Sequence, residues 1–210
     1  MYRVLVADDH GVVRRGISQI LEETSEFRVT TEATNAEELL ELVGKGKWDA
    51  LILDLNMPGR GGLDVLKDIH RRLPRLPILV LSMHDEKQFA PRVIKAGASG
   101  YMNKESAPNE LLKALRKIIT GGKYISEAVA ETLASDLQHS QPGPPHVSLS
   151  DREFEVFRLI ASGKSVSQIA VQISLSVKTV STYRQRLMEK MGMKTNAELT
   201  RYAIKNNLVE

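Results

Sequence analysis

At 210 residues the chain is long for one domain and comfortable for two; an apolar content of 42% excludes a disordered chain, and no run approaches the length of a membrane span. Cysteine is absent, which excludes a disulfide framework and a thiolate zinc site, and Met1-Tyr2-Arg3-Val4 enters a strand rather than a signal peptide, so a cytoplasmic protein is expected. The net charge of +3 is unevenly divided: residues 1–136 carry 19 Lys or Arg against 20 Asp or Glu, whereas residues 147–210 carry 10 against 6.

Short β-rich runs at 3–7, 27–33, 50–53, 77–81 and 100–103 alternate with amphipathic stretches at 12–23, 36–45, 62–72, 86–96 and 108–120. Strict strand–helix alternation predicts a parallel sheet covered on both faces. Pro91 falls inside the fourth helix, which either starts late, with Pro91 in its first turn, or bends there. A further helical segment is expected at 126–137. Residues 138–146, Gln-His-Ser-Gln-Pro-Gly-Pro-Pro-His, then break all periodicity and read as an extended linker. The expected divisions are therefore residues 1–121, a helical segment and linker at 122–146, and a second domain at 147–210.

Ser150-Asp151-Arg152-Glu153 opens that second domain as a capping box, and Gly163 ends its first helix. A helix at 165–173, the turn Ser174-Leu175-Ser176 and a helix at 178–191 follow helix-turn-helix grammar, although the turn lacks the common glycine. In the later helix Val180, Tyr183, Leu187 and Met191 form an apolar stripe that must be buried. Lys178, Ser181, Thr182 and Gln185 line the opposite stripe, flanked by Arg184, Arg186 and Lys190; these are donors suited to DNA phosphates and groove edges. A solvated basic helix is the plainer reading of the charges alone, but the preceding helix and turn, and the local basic excess, favour double-stranded DNA. A last helix is expected at 196–205.

In a parallel sheet the ligand site lies beyond the carboxyl ends of the strands. Asp8 and Asp9, Asp54, Ser82 and Lys104 all fall there. Converging carboxylates repel one another unless a cation sits between them, and oxygen ligands without Cys or His favour a hard ion such as Mg2+. Lys104 and Ser82 would then cover the oxygens of an incoming phosphoryl group. Each residue alone reads as a helix cap or a surface lysine; the compatible set at successive strand ends does not.

Val6-Ala7-Asp8-Asp9-His10, Leu53-Asp54-Leu55-Asn56-Met57-Pro58-Gly59, Leu81-Ser82 and Gly97-Ala98-Ser99-Gly100-Tyr101-Met102-Asn103-Lys104 make residues 1–121 resemble a bacterial response-regulator receiver domain. Leu149-Ser150-Asp151-Arg152-Glu153 and Val177-Lys178-Thr179-Val180 make residues 147–210 resemble the LuxR-type helix-turn-helix. Together they resemble the NarL/FixJ family of two-component transcription factors. The resemblance implies an α/β fold, a doubly wound five-stranded parallel sheet of the CheY-like receiver type, followed by an all-α helix-turn-helix domain.

It further implies that Asp54 accepts a phosphoryl group from a sensor histidine kinase, and that Asp9, Asp54 and the Asn56 carbonyl hold magnesium with help from Asp8. Ser82 and Lys104 would contact the transferred group. Tyr101 matches the family's aromatic switch position, whose ring turns inward when Ser82 moves toward the phosphate; its plainer reading is a half-buried strand tyrosine. Lys104 is often followed in receivers by a proline in a cis peptide, where Glu105 stands here, and Asn56 and His84 occupy positions that tune phosphoryl lifetime.

By the same resemblance residues 177–191 are the recognition helix. Ser181, Thr182 and Gln185 would face base edges, Lys178, Arg184, Arg186 and Lys190 would face phosphates, and residues 196–205 look like the family's dimerisation helix. The expected function is a phosphorylation-controlled transcription regulator that forms a homodimer on DNA. A phosphorylation-independent DNA-binding regulator and a magnesium-dependent phosphohydrolase using Asp54 as a transient nucleophile are the alternatives. The helix-turn-helix and the complete acidic set disfavour them, and the chain is expected not to be an enzyme.

Overall fold

The computed structural model describes residues 1–83, 86–106, 108–138 and 144–209; His84 and most of the expected linker lie outside the described residues. The chain forms two compact units, residues 1–135 and 136–210.

In the first unit β1 (Tyr2–Ala7), β2 (Phe27–Ala33), β3 (Ala50–Asp54), β4 (Ile78–Ser82) and β5 (Gly100–Asn103) form one parallel sheet in the order β2-β1-β3-β4-β5. Every residue of β3 and β4 is buried, as continuous apolar runs in a sheet covered on both faces require. On one face Val4, Val6, Ile52, Leu79, Leu81 and Met102 pack with Ile17 and Leu21 of α1 (Gly11–Glu22) and with Leu111, Leu115 and Ile118 of α5 (Pro108–Ile119). The right-handed crossover rule puts α2 (Ala36–Lys45), α3 (Gly62–Arg72) and α4 (Glu86–Lys95) on the other face, toward which the alternate strand residues Leu5, Leu51, Leu53 and Val80 turn. The chain goes from β1 out to β2 and back to β3, so the loops after β1 and β3 leave in opposite directions and open a crevice between them.

Of the two courses expected at Pro91, the late start is not taken. α4 begins at Glu86 and runs through Pro91, which lies in its second turn rather than its first. Proline removes one helix hydrogen bond, but Phe89, Ala90 and Val93 are buried around it, and that packing holds the helix continuous. The compact unit that holds the sheet runs past residue 121 to residue 135 and takes in most of the helical segment expected there. Gly121, at φ 88°, closes α5 in a Schellman turn, donating to Ile118 O at 3.0 Å while Gly122 donates to Lys117 O at 2.9 Å. The chain then runs back along the outer edge of β5, where Tyr124 forms a parallel bridge with Gly100, and continues into α6 (Glu127–Gln138), whose Val129 is fully buried.

The second unit contains α7 (Asp151–Ala161), α8 (Val166–Gln172), α9 (Val177–Met191) and α10 (Asn196–Lys205). Phe154, Phe157, Ile160, Ile169, Val180, Leu187 and Leu199 form its core. Each helix starts on a hydroxyl cap: Ser150 and Ser165 form complete capping boxes with Glu153 and Gln168, and Ser176 and Thr195 cap α9 and α10. Residues 145–148 form a 3-10 turn that joins the last two positions of the expected linker, Pro145 and His146, to the start of the second domain. Its His146 Nδ1 lies 2.8 Å from the Tyr202 hydroxyl and its ring packs near Phe154, a set of partners that fixes the turn on α7 and α10.

The turn between α8 and α9 manages without glycine by placing Ser174 at φ 53°. Leu175 N donates to Ala170 O at 2.9 Å and Ser174 N to Val171 O at 3.3 Å, the same Schellman pattern that glycines close elsewhere in the chain. A side chain in this left-handed conformation costs about 1–2 kcal/mol, whereas glycine adds about 0.5–1 kcal/mol of chain entropy to be lost on folding. Ser174→Gly is therefore expected to stabilise the second unit by up to about 1 kcal/mol. The measure is native-state hydrogen exchange of the slowest α7 and α9 amides, and unchanged or faster exchange would contradict the strain.

Glu153 is 4% exposed and does two jobs: it accepts from Ser150 N at 2.8 Å and from Lys190 Nζ at 2.6 Å. Burial alone would raise its pKa; the bonds from Lys190 and Ser150 outweigh that and hold it below the usual carboxylate range. Removal of Lys190 leaves a buried carboxylate charge without its cation. Lys190→Ala is expected to destabilise the unit by roughly 1–3 kcal/mol, against almost nothing for the exposed Lys178→Ala. Equal losses in urea titrations of the two variants would sink this assignment.

Candidate functional site

Parallel strands end at one edge of the sheet, and there the sequence places its polar residues. Ala7 pairs with Leu53, Asp54 with Leu81 and Ser82 with Asn103, so residues 8, 54, 82 and 104 lie on adjacent rungs around the crevice. Asp8 and Asp54 are 2% and 1% exposed and Ser82 is fully buried. Lys104 Nζ lies 2.6 Å from Asp8 Oδ2 and 2.7 Å from Asp54 Oδ2, bridging the two buried carboxylates. The Asn56 amide donates to Asp54 Oδ1 at 3.0 Å.

Burial pushes the Asp54 pKa up; Lys104 and the Asn56 amide pull it down and the Asp8 charge pushes it up again, with a raised value as the outcome. For Lys104 burial acts to lower the pKa, but the bonds and charges of Asp54 and Asp8 exceed it and raise it. Both shifts express the same condition: dense negative charge out of water, partly neutralised by one ammonium group.

His10 joins this cluster, and spacing gave no sign of it. Its Nδ1 is 2.8 Å from Asp9 Oδ1 and 3.2 Å from Asp8 Oδ1, while its amide donates to Asp8 Oδ1 at 2.8 Å. One ligand atom from each of Asp8, Asp9, His10 and Asp54 lies within 4.8 Å of the others, so the set is not free of imidazole as the acidic residues alone suggested. Asp9 does not cap α1; His10 holds the N-cap position. Arg14 steadies the loop by donating to the Asp8 carbonyl at 2.7 Å while it pairs with Glu32 at 2.7 Å.

Ser82 O accepts from the Lys104 amide at 3.0 Å, tying the ends of β4 and β5 together. The Lys104–Glu105 peptide is trans, and Glu105 N donates to Asn103 Oδ1 at 2.8 Å in a local turn. Tyr101 is 1% exposed, so its ring already stands inward rather than half-buried.

On α9 Val180, Leu187 and Met191 are buried as their spacing predicts, but Tyr183 is only half-buried and Met188 takes its share of the core. Lys178, Ser181, Thr182, Gln185 and Arg186 are exposed. The hydroxyls of Ser181 and Thr182 donate back to Val177 O and Lys178 O at 2.9 and 3.0 Å, which turns their lone pairs outward as acceptors. Gln185 Nε2 donates to Glu189 Oε1 at 3.2 Å. Two of the cations expected beside this stripe are engaged inside the unit: Arg184 donates to Asn196 Oδ1 at 2.9 Å, and Lys190 is held by Glu153. The first turns of α8 and α9 carry no acidic residue.

Residues 4–116 match the family described as response regulator receiver domain, and residues 147–203 match bacterial regulatory proteins of the luxR family. The chain is 36% identical over 209 residues to the response regulator UvrY of Escherichia coli, covering 99% of this chain and 96% of UvrY. It is 36% identical over 211 residues to the response regulator GacA of Pseudomonas aeruginosa, covering 100% and 99%. Among solved structures, RcsB of Salmonella enterica serovar Typhimurium bound to promoter rprA in the presence of the phosphomimetic BeF3− is similar with a TM-score of 0.71 at 30% identity, over 96% of this chain and 97% of that one. A structure of two RcsB dimers bound to two parallel DNAs is similar with a TM-score of 0.60 at 32% identity, over 96% of each chain. A receiver fold with its acidic crevice, joined to a luxR-type helical unit and matched along nearly the whole chain, makes this protein a member of the NarL/FixJ family of two-component response regulators.

Proposed function

We propose that the protein is switched by transfer of a phosphoryl group to Asp54 from a histidine of a sensor kinase, and that the switched form binds specific DNA as a homodimer through α9. The observation that carries the reading is the Asp54 carboxylate, 1% exposed at the end of a central strand and flanked by Lys104 at 2.7 Å. An Asp54 oxygen attacks the phosphorus, the P–N bond to the donor histidine breaks as the O–P bond forms, and the imidazole leaves with the electron pair. Lys104 then gives up its bond to Asp54 Oδ2 for a phosphoryl oxygen, and the Ser82 hydroxyl donates to another. The phosphohydrolase alternative has little support, because the full-length relatives are response regulators.

The donor set fits a divalent cation. Asp8, Asp9 and Asp54 contribute three carboxylates against one buried ammonium, with oxygens close enough to share one ion. Asp8, Asp9, Asp54 and the Asn56 carbonyl would hold magnesium, with His10 beside them. The bound ion supplies neutralisation of the phosphoryl oxygens as they enter the acidic crevice.

For DNA, Ser181, Thr182 and Gln185 are the base-edge candidates, with Lys178 and Arg186 on phosphates. Arg184 and Lys190 become phosphate contacts only by leaving Asn196 and Glu153. One α9 reads few base pairs, so a two-fold dimer on two half-sites supplies the needed specificity; RcsB dimers on DNA support this by similarity. We assign the functional divisions as receiver to residue 121, connecting segment 122–146 and output domain 147–210, and place the protein in the cytoplasm. No helix among the described residues is long and apolar enough to cross a membrane.

Incubation with acetyl phosphate and magnesium is expected to label one residue, Asp54, and Asp54→Asn to abolish the label. Persistence of the label in that variant, or after chelation of magnesium, would reject the assignment. DNA binding is expected to fall steeply with salt. Arg186→Ala should weaken all sequences alike and flatten the salt slope, whereas Gln185→Ala should cost about 1–3 kcal/mol at one base position and relax the choice there. Uniform weakening by Gln185→Ala in a competition titration would remove it from base reading.

A further inference from the structure

The segment between α5 and α6 touches every element of the sheet's outer edge. Tyr124 N donates to Ser99 O at 2.9 Å and Tyr101 N donates to Tyr124 O at 3.0 Å, so the connector forms a one-residue sixth strand beside β5. A Cβ on Gly100 would come to 3.0 Å from Tyr124 Cβ and O, so a side chain there would press the connector away by a few tenths of an ångström. The Tyr124 hydroxyl donates to Glu110 of α5 at 2.5 Å. Lys123 Nζ donates to Ala98 O at 2.6 Å. Ser126 N donates to Glu86 Oε1, the first residue of α4, at 3.2 Å, and the Ser126 hydroxyl accepts from Val129 N at 3.3 Å, capping the first turn of α6.

We propose that Lys123–Ser126 is a coupling latch through which the position of α4 and β5 sets the start of α6, with Glu86 and Tyr124 as its positioning residues. The inference rests on the phosphoryl-transfer reading above. Glu86 heads the helix that follows the Ser82 loop, and Tyr101 is two strand residues from Asn103, which pairs with Ser82. A displacement of Ser82 toward Asp54 therefore acts on both anchors of the connector. Ser126 is the point of delivery, because the residue that bonds Glu86 is also the cap of α6. α6 is the segment by which the chain leaves the first unit. Tyr124 has its pKa pushed up to about 12 by burial, by the bond to Glu110 and by the charges of Glu110 and Glu86, so it stays a neutral donor throughout the ordinary pH range.

The test is hydrogen exchange on the full-length protein with magnesium, with and without beryllofluoride as the phosphoryl mimic. In the wild type beryllofluoride is expected to change exchange both around Ser82 and Tyr101 and at Ser126–Ala130. Glu86→Ala should keep the first response, lose the second, and raise resting exchange at Ser126–Ala130 roughly tenfold, the equivalent of one lost hydrogen bond to a carboxylate. Glu86→Gln, which retains an acceptor oxygen, should keep both responses. Tyr124→Phe, which keeps the ring and deletes only the hydroxyl, should weaken the α6 response without altering that of Ser82. A wild-type α6 response in Glu86→Ala and Tyr124→Phe overturns the latch, as does a wild-type protein that responds around Ser82 but not at α6. A wild-type protein that responds at neither place overturns the Asp54 reading and the latch together.

Discussion

The first unit depends on one electrostatic imbalance held out of water. Asp8 and Asp54 are nearly inaccessible, Asp9 stands beside them, and a single ammonium group bridges the two buried carboxylates. Carboxylates so placed repel one another by several kcal/mol at the dielectric of a protein interior unless countercharge is fixed between them. The fold supplies the fixing. Parallel strands bring the acids to one edge, the fully buried β3 and β4 make that edge rigid, and the Ser82–Lys104 backbone bond holds the cation-bearing loop against it. A sheet with one antiparallel member would have sent one of these residues to the opposite edge.

The second unit solves a different problem, that of keeping short helices in register with a small core. Its solution is at the helix ends. Hydroxyl caps start all of its α-helices, and Schellman turns at Gly163, Ser174 and Gly192 end α7, α8 and α9. The devices overlap, since Glu153 completes the first capping box and also pairs with Lys190 of α9. Under the proposed DNA reading the consequence is functional: every side chain that holds α9 in place is subtracted from those it would offer to DNA. Arg184 and Lys190 belong to the holding set, which concentrates the outward chemistry in Lys178, Ser181, Thr182, Gln185 and Arg186.

Much of this was legible in the sequence because it depends on period and on strand ends. Alternation of apolar runs with amphipathic stretches gives the parallel sheet, and residues that terminate successive strands of a parallel sheet must share an edge, so Asp8, Asp54, Ser82 and Lys104 could be grouped without coordinates. What escaped depends on directions that spacing does not encode. The His10 ring turns toward Asp9 and Asp8 because of the loop's path, not its position in a motif. The engagement of Lys190 depends on α7 lying against α9, a contact 37 residues apart in sequence. Pro91 forbids a mid-helix hydrogen bond locally, yet packing of Phe89, Ala90 and Val93 overrides that preference. Gly121-Gly122 reads in the sequence only as a breaker before the helix expected at 126–137, whereas the glycines also turn the chain back onto β5.

The two themes meet in the charge count. In the proposed transfer a carboxylate with one negative charge becomes an acyl phosphate with about two, so Lys104 can no longer divide itself between Asp8 and Asp54 as it does at rest. A switch requires that this redistribution favour one arrangement of the surrounding contacts over another by a definite free energy. The apolar core of the sheet cannot supply the difference, because close-packed strands have no second arrangement of similar energy. The contacts that can are polar, few and at the edge: Ser82 with Lys104, Tyr101 with Tyr124, and Glu86 with Ser126. The backbone of β5 joins the first to the second, and the connector from Tyr124 to Ser126 joins the second to the third. In the proposed latch a charge added at Asp54 would thus reach the helix that leaves the unit through these edge contacts rather than through the core.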